Sequence, residues 1–228
     1  MADRCWVVIP AAGSGSRFGA DVPKQYQLLN GKMVIDRTLS VFLNWEPTHK
    51  VVVALSPDDD RFDETTFGSH PDVIRVTGGA ERSDSVSKAL EYVCQQALPG
   101  DKVMVHDAAR PVLQTRDLDR LWALRNLSAA IFARPIADTL KRSQDGAIQA
   151  TFSRDNLWGA QTPQMANPSA LLHALQTCSE RGISVTDEAS ALEAVGERVS
   201  LVEGPAYNIK ITRADDLLIA SALLEMLE

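Results

Sequence analysis

Short, unbroken apolar runs alternate along the chain with segments of helical period. The runs fall at 6–9 (Trp-Val-Val-Ile), 51–55, 73–76, 103–105 and 129–132. Continuous runs of this kind suit strands covered on both faces. Between the third and fourth, Val86, Ala89, Leu90, Val93, Cys94 and Ala97 stand at i, i+3, i+4, i+7, i+8 and i+11, one apolar stripe of an amphipathic helix. The strand–helix–strand order predicts an α/β fold, a mostly parallel sheet with helices on both faces. Ligands of such sheets sit beyond the carboxyl ends of the strands, so chemistry is expected in the residues that follow each run.

Later segments depart from this rhythm. Residues 136–152 contain Asp145-Gly146, a strong two-residue hairpin signal, with Ile148, Ala150 and Phe152 alternating beyond it. A lone hairpin is marginally stable in water and must pack on its own domain or on a second chain. The pattern alone does not separate an edge hairpin from a dimer arm. Asn167-Pro168 reads as an N-cap with proline at the first helical position, opening a helix to about Arg181. Tyr207 and Lys210 are expected in a last strand. Thr212-Arg-Ala-Asp215 resembles a capping box before a final helix that counts Leu217, Leu218 and Leu224 among its apolar positions.

A chain of 228 residues, 45% hydrophobic and 23% charged, is long enough to fold on its own core, and one domain over 1–228 is expected. Its 23 basic and 30 acidic side chains leave a net charge of −7, the opposite of a non-specific nucleic-acid binder's footprint. Any phosphate site must therefore be a local one. Cys5, Cys94 and Cys178 form no C-x-x-C pair and read as reduced thiols of a cytoplasmic protein. The apolar run at 5–10 is too short for a signal segment or a membrane span, so no membrane attachment is expected.

The first run ends in Pro10-Ala11-Ala12-Gly13-Ser14-Gly15-Ser-Arg17-Phe18-Gly19. Glycines let backbone N–H groups approach a phosphate closely. A dinucleotide fingerprint begun at Gly13 needs glycine where Phe18 stands, and a P-loop needs Gly-Lys where the chain has Phe18-Gly19. What remains is a different phosphate loop with a cation, Arg17, inside it and Lys24 after Pro23. Phosphoryl and nucleotidyl transfer need fixed positive charge where oxygens gain charge in the transition state, and these two residues are placed to supply it. Two solvated cations on a glycine turn is the bland reading of the same residues.

Asp107 follows the run at 103–105 and His106, so a carboxylate stands at a strand's carboxyl end, a hard ligand suited to Mg²⁺. A turn cap, or an ion pair with Arg110, is the structural alternative; a His-Asp phosphohydrolase lacks a second histidine cluster. The stretch Gly78-Gly79-Ala80-Glu-Arg82-Ser-Asp-Ser85 lies between a strand and the stripe helix, where its N–H groups and the Ser85 hydroxyl face either a ligand or the helix as caps. Thr186-Asp-Glu-Ala-Ser190 reads first as a helix N-terminus.

Taken together, these stretches resemble the 2-C-methyl-D-erythritol 4-phosphate cytidylyltransferase family. The resemblance runs in order through the 10–19 loop, Pro23-Lys24-Gln-Tyr, Gly78 to Val86, Val105-His-Asp107-Ala108-Ala-Arg110-Pro, Asp138-Thr139-Leu-Lys, Arg154 to Trp158, Thr162-Pro163-Gln, Thr186 to Ala189 and Asn208-Ile-Lys210-Ile-Thr. It implies a Rossmann-like nucleotidyltransferase fold with a hairpin dimerisation arm at 136–155. By the same resemblance Pro10, Ala11, Ala12, Gly13, Ser14 and Gly15 hold the triphosphate of CTP, and Gly79, Ala80 and Ser85 meet cytosine. Asp107 and Ala108 place the ribose, and Asp107 holds Mg²⁺ or another divalent cation. Arg17, Lys24 and Lys210 carry the catalytic positive charge. Asp107, Arg110, Thr139, Arg154, Thr162, Thr186 and Lys210 serve the polyol phosphate, with Thr139 and Arg154 passed to the neighbouring subunit of a homodimer. The family often has Asp where this chain has Ala80; a backbone contact survives that change and a carboxylate contact does not. The rival expectations are a related nucleotidyltransferase for another polyol phosphate, such as ribitol 5-phosphate, and a nucleotide-binding dimer without activity.

Overall fold

In a computed structural model of the chain, the residues described are 4–13, 18 and 22–227. The strands are β1 (Cys5–Pro10), β2 (Leu28–Leu29), β3 (Lys32–Met33), β4 (Thr48–Leu55), β5 (Val73–Thr77), β6 (Lys102–Val105), β7 (Ala129–Pro135), β8 (Leu140–Gln144), β9 (Ala147–Phe152), β10 (Trp158–Ala166) and β11 (Val199–Glu203). The helices are α1 (Val34–Leu43), α2 (Arg82–Gln96), α3 (Thr115–Trp122), α4 (Pro168–Glu180), α5 (Glu188–Ala194) and α6 (Asp215–Leu227). Seven strands form one sheet in the order β11-β7-β10-β6-β1-β4-β5. Every pairing in it is parallel except those of β10, which runs antiparallel to both β6 and β7.

Period-two geometry explains why the central runs are unbroken. In β1, Cys5, Val7 and Ile9 pack on one face with Ile35, Leu39 and Phe42 of α1 and Leu118 and Leu121 of α3. Trp6 and Val8 pack on the other, with Val86, Ala89, Leu90 and Val93 of α2 and Leu171 and Leu175 of α4. Both sets of side chains leave water, each large one contributing about 1.5–3 kcal/mol, so no position in the strand is free to be polar.

The hairpin forms as expected from Asp145-Gly146, which take φ of 50° and 79° between β8 and β9. That is the left-handed pair a tight hairpin turn requires. The expected helix after Asn167 is α4, capped by the Asn167 side chain accepting from Ser169 N–H and Ala170 N–H. Other expectations are corrected. Residues 207–212 form no strand: Ile211 N–H donates to Ala109 O at 2.8 Å, and Asn208 O accepts from Arg110 Nη1 at 2.7 Å, so this segment is bonded to the loop after β6 and the edge strand is β11. The cap before α6 is made by Asp216 instead of Asp215; its Oδ2 accepts from Thr212 N–H, the Thr212 hydroxyl and Arg213 N–H. Leu218 is 74% exposed, because α6 buries only Ala220 and Leu224 deeply. Among the described residues no helix is long and apolar enough to cross a membrane.

Candidate active site

Parallel strands bring their carboxyl ends to one edge, and the connections leaving β1, β4, β5 and β6 there enclose a cleft of about 770 Å³. Pro10, Ala11, Ala12 and Gly13 form one wall, Gly79, Ala80 and Ser85 another, and Asp107 and Ala108 the floor, with Lys24 and Lys210 also lining it. The first wall is pinned from behind. Ala11 N–H donates to Ala54 O at 2.8 Å, and Gln25 Nε2 donates to Ala11 O at 2.9 Å and Gly13 O at 3.3 Å. The second wall is glycine because of close approach: a β-carbon on Gly78 would meet Ala12 Cβ at 2.5 Å, and one on Gly79 would overlap Asp84 Cβ. The Ser85 hydroxyl accepts from Gly79 N–H at 3.0 Å and donates to Glu81 O at 3.1 Å, so it braces the wall it belongs to. The cap of α2 comes instead from Glu81 and Asp84.

Asp107 is the electrostatic centre of the floor. Its Oδ1 accepts from Arg82 Nε at 3.0 Å, and its Oδ2 from Lys210 Nζ at 2.9 Å and Arg110 Nε at 3.3 Å. Burial alone would raise its pKa, but Arg82, Lys210 and Arg110 outweigh burial and hold the carboxyl well below the usual range. Arg82 also grips the buried Glu188 with both terminal nitrogens, at 2.6 and 3.1 Å. The paired carboxylates keep its pKa raised against the opposing effect of burial. His106 beside it is pushed down to about 4 by burial and stays neutral, with Nε2–H donating to Arg110 O at 3.1 Å. Three cations thus share two carboxylates, and the site keeps an excess of positive charge inside an acidic chain.

The expected residues divide clearly. Pro10, Ala11, Ala12, Gly13, Lys24, Gly79, Ala80, Ser85, Asp107, Ala108 and Lys210 meet at the cleft, and Arg110 braces it through Asp107. Ser14, Gly15 and Arg17 lie outside the described residues. Thr162 is buried under Asp107 and donates no surface to the cleft; Thr186 lines a small separate hollow of about 60 Å³ behind Arg82. Thr139 and Arg154 are exposed together at the open end of the hairpin, where Leu140 pairs with Phe152, and do not line the cleft. Sequence reasoning missed Glu188 and the bridging role of Arg82, whose partners lie 25 and 106 positions away. Their only signal was a charged residue at the start of each of two helices. It also missed Gln25, a polar residue that is 4% exposed.

The floor suits a magnesium ion only in one form. Among the described residues no three metal-ligating side chains gather; of the two carboxylates on the cleft lining, Glu81 caps α2 and Asp107 stands on the floor. A carboxylate offers about four lone-pair sites, and three are taken by cations. One remains, which fits an ion carried in by a nucleotide's phosphates, since Mg²⁺ commonly takes one carboxylate, phosphate oxygens and water.

A cleft of this make-up, at the carboxyl edge of a mostly parallel sheet, defines the class as an α/β nucleotidyltransferase. The family model for 2-C-methyl-D-erythritol 4-phosphate cytidylyltransferase (IspD) matches residues 5–226, and the chain belongs to that family. Relatives so named include those of Vibrio atlanticus, 45% identical over 95% of this chain and 94% of the relative, and Vibrio parahaemolyticus, 46% identical over the same shares. Among solved structures, the Francisella tularensis 2-C-methyl-D-erythritol 4-phosphate cytidylyltransferase superposes with a TM-score of 0.86 at 36% identity, covering 97% of this chain and all (100%) of that one. A 4-diphosphocytidyl-2C-methyl-D-erythritol synthase gives 0.86 at 35% identity, with 98% and 99% coverage.

Proposed function

We propose that the chain transfers the cytidylyl group of CTP to 2-C-methyl-D-erythritol 4-phosphate, forming 4-diphosphocytidyl-2-C-methyl-D-erythritol and pyrophosphate in isoprenoid precursor synthesis. The observation that carries this reading is the meeting of Lys24, Lys210 and Asp107 with the Gly13 and Gly79 walls on one cleft, in a member of this family. The substrate's phosphate oxygen attacks the α-phosphorus of CTP in line; the new O–P bond forms as the bond to the β-phosphate oxygen breaks, and pyrophosphate leaves. A phosphate is already an anionic nucleophile, so no serine–histidine–acid set is needed.

Lys24 and Lys210 face the charge that gathers on the α-phosphate and the leaving oxygens, a differential contact that lowers the barrier. Arg17 is assigned the same task by its place in the loop motif. Asp107 holds Lys210 in place, addresses the ribose together with Ala108, and offers its remaining lone pair to Mg²⁺. That ion, when bound with the nucleotide, would neutralise phosphate charge. Gly79, Ala80 and Ser85 form the wall for cytosine, with the base read through backbone groups because Ala80 has no polar side chain.

The polyol phosphate is assigned to Lys210 on the cleft, with Thr139 and Arg154 reaching it from a second copy; Arg110 is turned to Asp107 and Asn208 O, and Thr186 lines the hollow behind Arg82, so neither is given a direct contact. The 136–155 arm supports a homodimer: β8 and β9 make a sheet of their own, and Ile148 is 67% and Phe152 41% exposed on it. The location we assign is the cytoplasm, with no nucleic-acid or membrane partner.

The test is pyrophosphate release with Mg²⁺, methylerythritol 4-phosphate and each ribonucleoside triphosphate in turn, then CTP with ribitol 5-phosphate and other phosphates. Release that needs both CTP and methylerythritol 4-phosphate is expected. Preference for another acceptor would overturn the substrate assignment, and CTP binding without release would point to a regulatory dimer.

A further inference from the structure

The Thr162 hydroxyl sits between two residues of the cleft floor, spends its one proton and one of its two acceptor lone pairs on them, and is too deeply buried to offer the other to a substrate. Thr162 is 4% exposed, and its Oγ1 lies 3.0 Å from Asp107 N and 3.1 Å from His106 Nδ1. The protons follow from the partners. Arg110 O only accepts, so its 3.1 Å contact with His106 Nε2 places the ring proton on Nε2. Nδ1 is therefore an acceptor, and the one O–H of Thr162 points to it. The hydroxyl oxygen then receives Asp107 N–H.

The surrounding backbone is built to hold this relay. The register of β10 against β7 jumps between Ala160 and Gln164, which lifts Thr162 out of the ladder toward β6. Its carbonyl accepts from Asn208 Nδ2 at 2.7 Å, and the His106 ring stands edge-on to Phe42 at 5.1 Å. His106 N–H is tied to Val8 O at 2.9 Å, so the relay is anchored on the central strand.

We propose that Thr162 and His106 are positioning residues that fix the backbone of Asp107, and with it the direction from which that carboxylate holds Lys210 and Arg82. Thr162 then makes no bond to the polyol phosphate, in contrast to the placement the family resemblance suggests. The inference rests on the cytidylyltransferase reading for its kinetic arm and on geometry alone for its exchange arm.

Thr162→Val keeps the shape and removes the hydroxyl; Thr162→Ser keeps the hydroxyl. With CTP and methylerythritol 4-phosphate, Thr162→Val is expected to lower kcat about ten- to a hundredfold, the cost of an orphaned buried N–H, with both KM values within about threefold. Thr162→Ser should restore kcat. Adding His106→Gln to Thr162→Val should cost little more than the worse single change, since both break one relay. Amide exchange at Asp107 should speed up in Thr162→Val and stay slow in Thr162→Ser, a readout that holds even if the wild type were inactive with these substrates. A raised KM for the polyol phosphate with unchanged kcat would overturn the proposal in favour of direct contact. So would unchanged exchange at Asp107. If Thr162→Val fails to fold, Thr162→Ala replaces it, and misfolding of both with Thr162→Ser intact would overturn the proposal in favour of a purely structural role.

Discussion

Arg82 is the side chain on which the most separate parts of the site converge. It starts α2, grips Glu188 at the start of α5 and holds Asp107 after β6. Glu188 is 2% exposed, and Arg82 supplies both of its charged contacts. Removing one member of a buried pair leaves the other charge without compensation, which costs far more than the pair itself is worth. Arg82→Met is therefore expected to lower stability by about 3 kcal/mol, read as an earlier urea midpoint with an unchanged slope. A loss under about 1 kcal/mol would show that Glu188 finds another partner. The sequence made Asp107, Lys24 and Lys210 visible because each follows a strand or loop signal. Arg82 and Glu188 were hidden because pairing across 106 positions leaves no local trace.

At the scale of elements, legibility followed covering. Strands buried on both faces, β1, β4, β6 and the core of β7, appear in the sequence as apolar runs, and α2 appears as a stripe. β10 does not, because Gln161, Thr162 and Pro163 interrupt its pattern where the register jumps, and proline argues against a central strand. β11 is an edge strand with Leu201 half exposed, so its signal is weak, and the apparent strand at 207–212 is satisfied by loop partners. At the opposite end of the sheet from the cleft, one carboxylate joins three elements: Asp101, before β6, accepts from Arg4 Nε and Nη2, from Trp6 Nε1 of β1 and from Leu98 N–H after α2. Burial would raise its pKa, but those donors hold it below its ordinary 3.8. A depressed carboxylate stabilises the fold fully above its unfolded value and loses that contribution as pH falls through the folded value. Asp101→Asn should thus weaken the protein at neutral pH and show a shallower loss of stability between about pH 5 and 3, followed by denaturant midpoints. An acid limb as steep as the wild type's would contradict this.

Over the whole molecule, charge and shape are divided by place. The chain carries −7, yet the cleft gathers Lys24, Arg82, Lys88 and Lys210 on its lining, so phosphate binding is a local property of loops set on an acidic body. The hairpin stands outside the seven-stranded sheet and exposes Ile148 and Phe152, a surface suited to a second copy. For the proposed homodimer, Ile148→Asp is expected to shift sedimentation from dimer to monomer while circular dichroism stays unchanged; a dimer of wild-type strength would place the interface elsewhere, and a monomeric wild type would overturn the homodimer itself. The most direct check of the account is on Lys24→Ala and Lys210→Ala, with kcat for cytidylyl transfer and the Kd of CTP measured on the same preparations. Turnover should fall about a hundredfold or more while Kd changes by only a few-fold, because the contacts strengthen in the transition state. Unchanged turnover with an equal loss of CTP binding would contradict the catalytic role given to these cations.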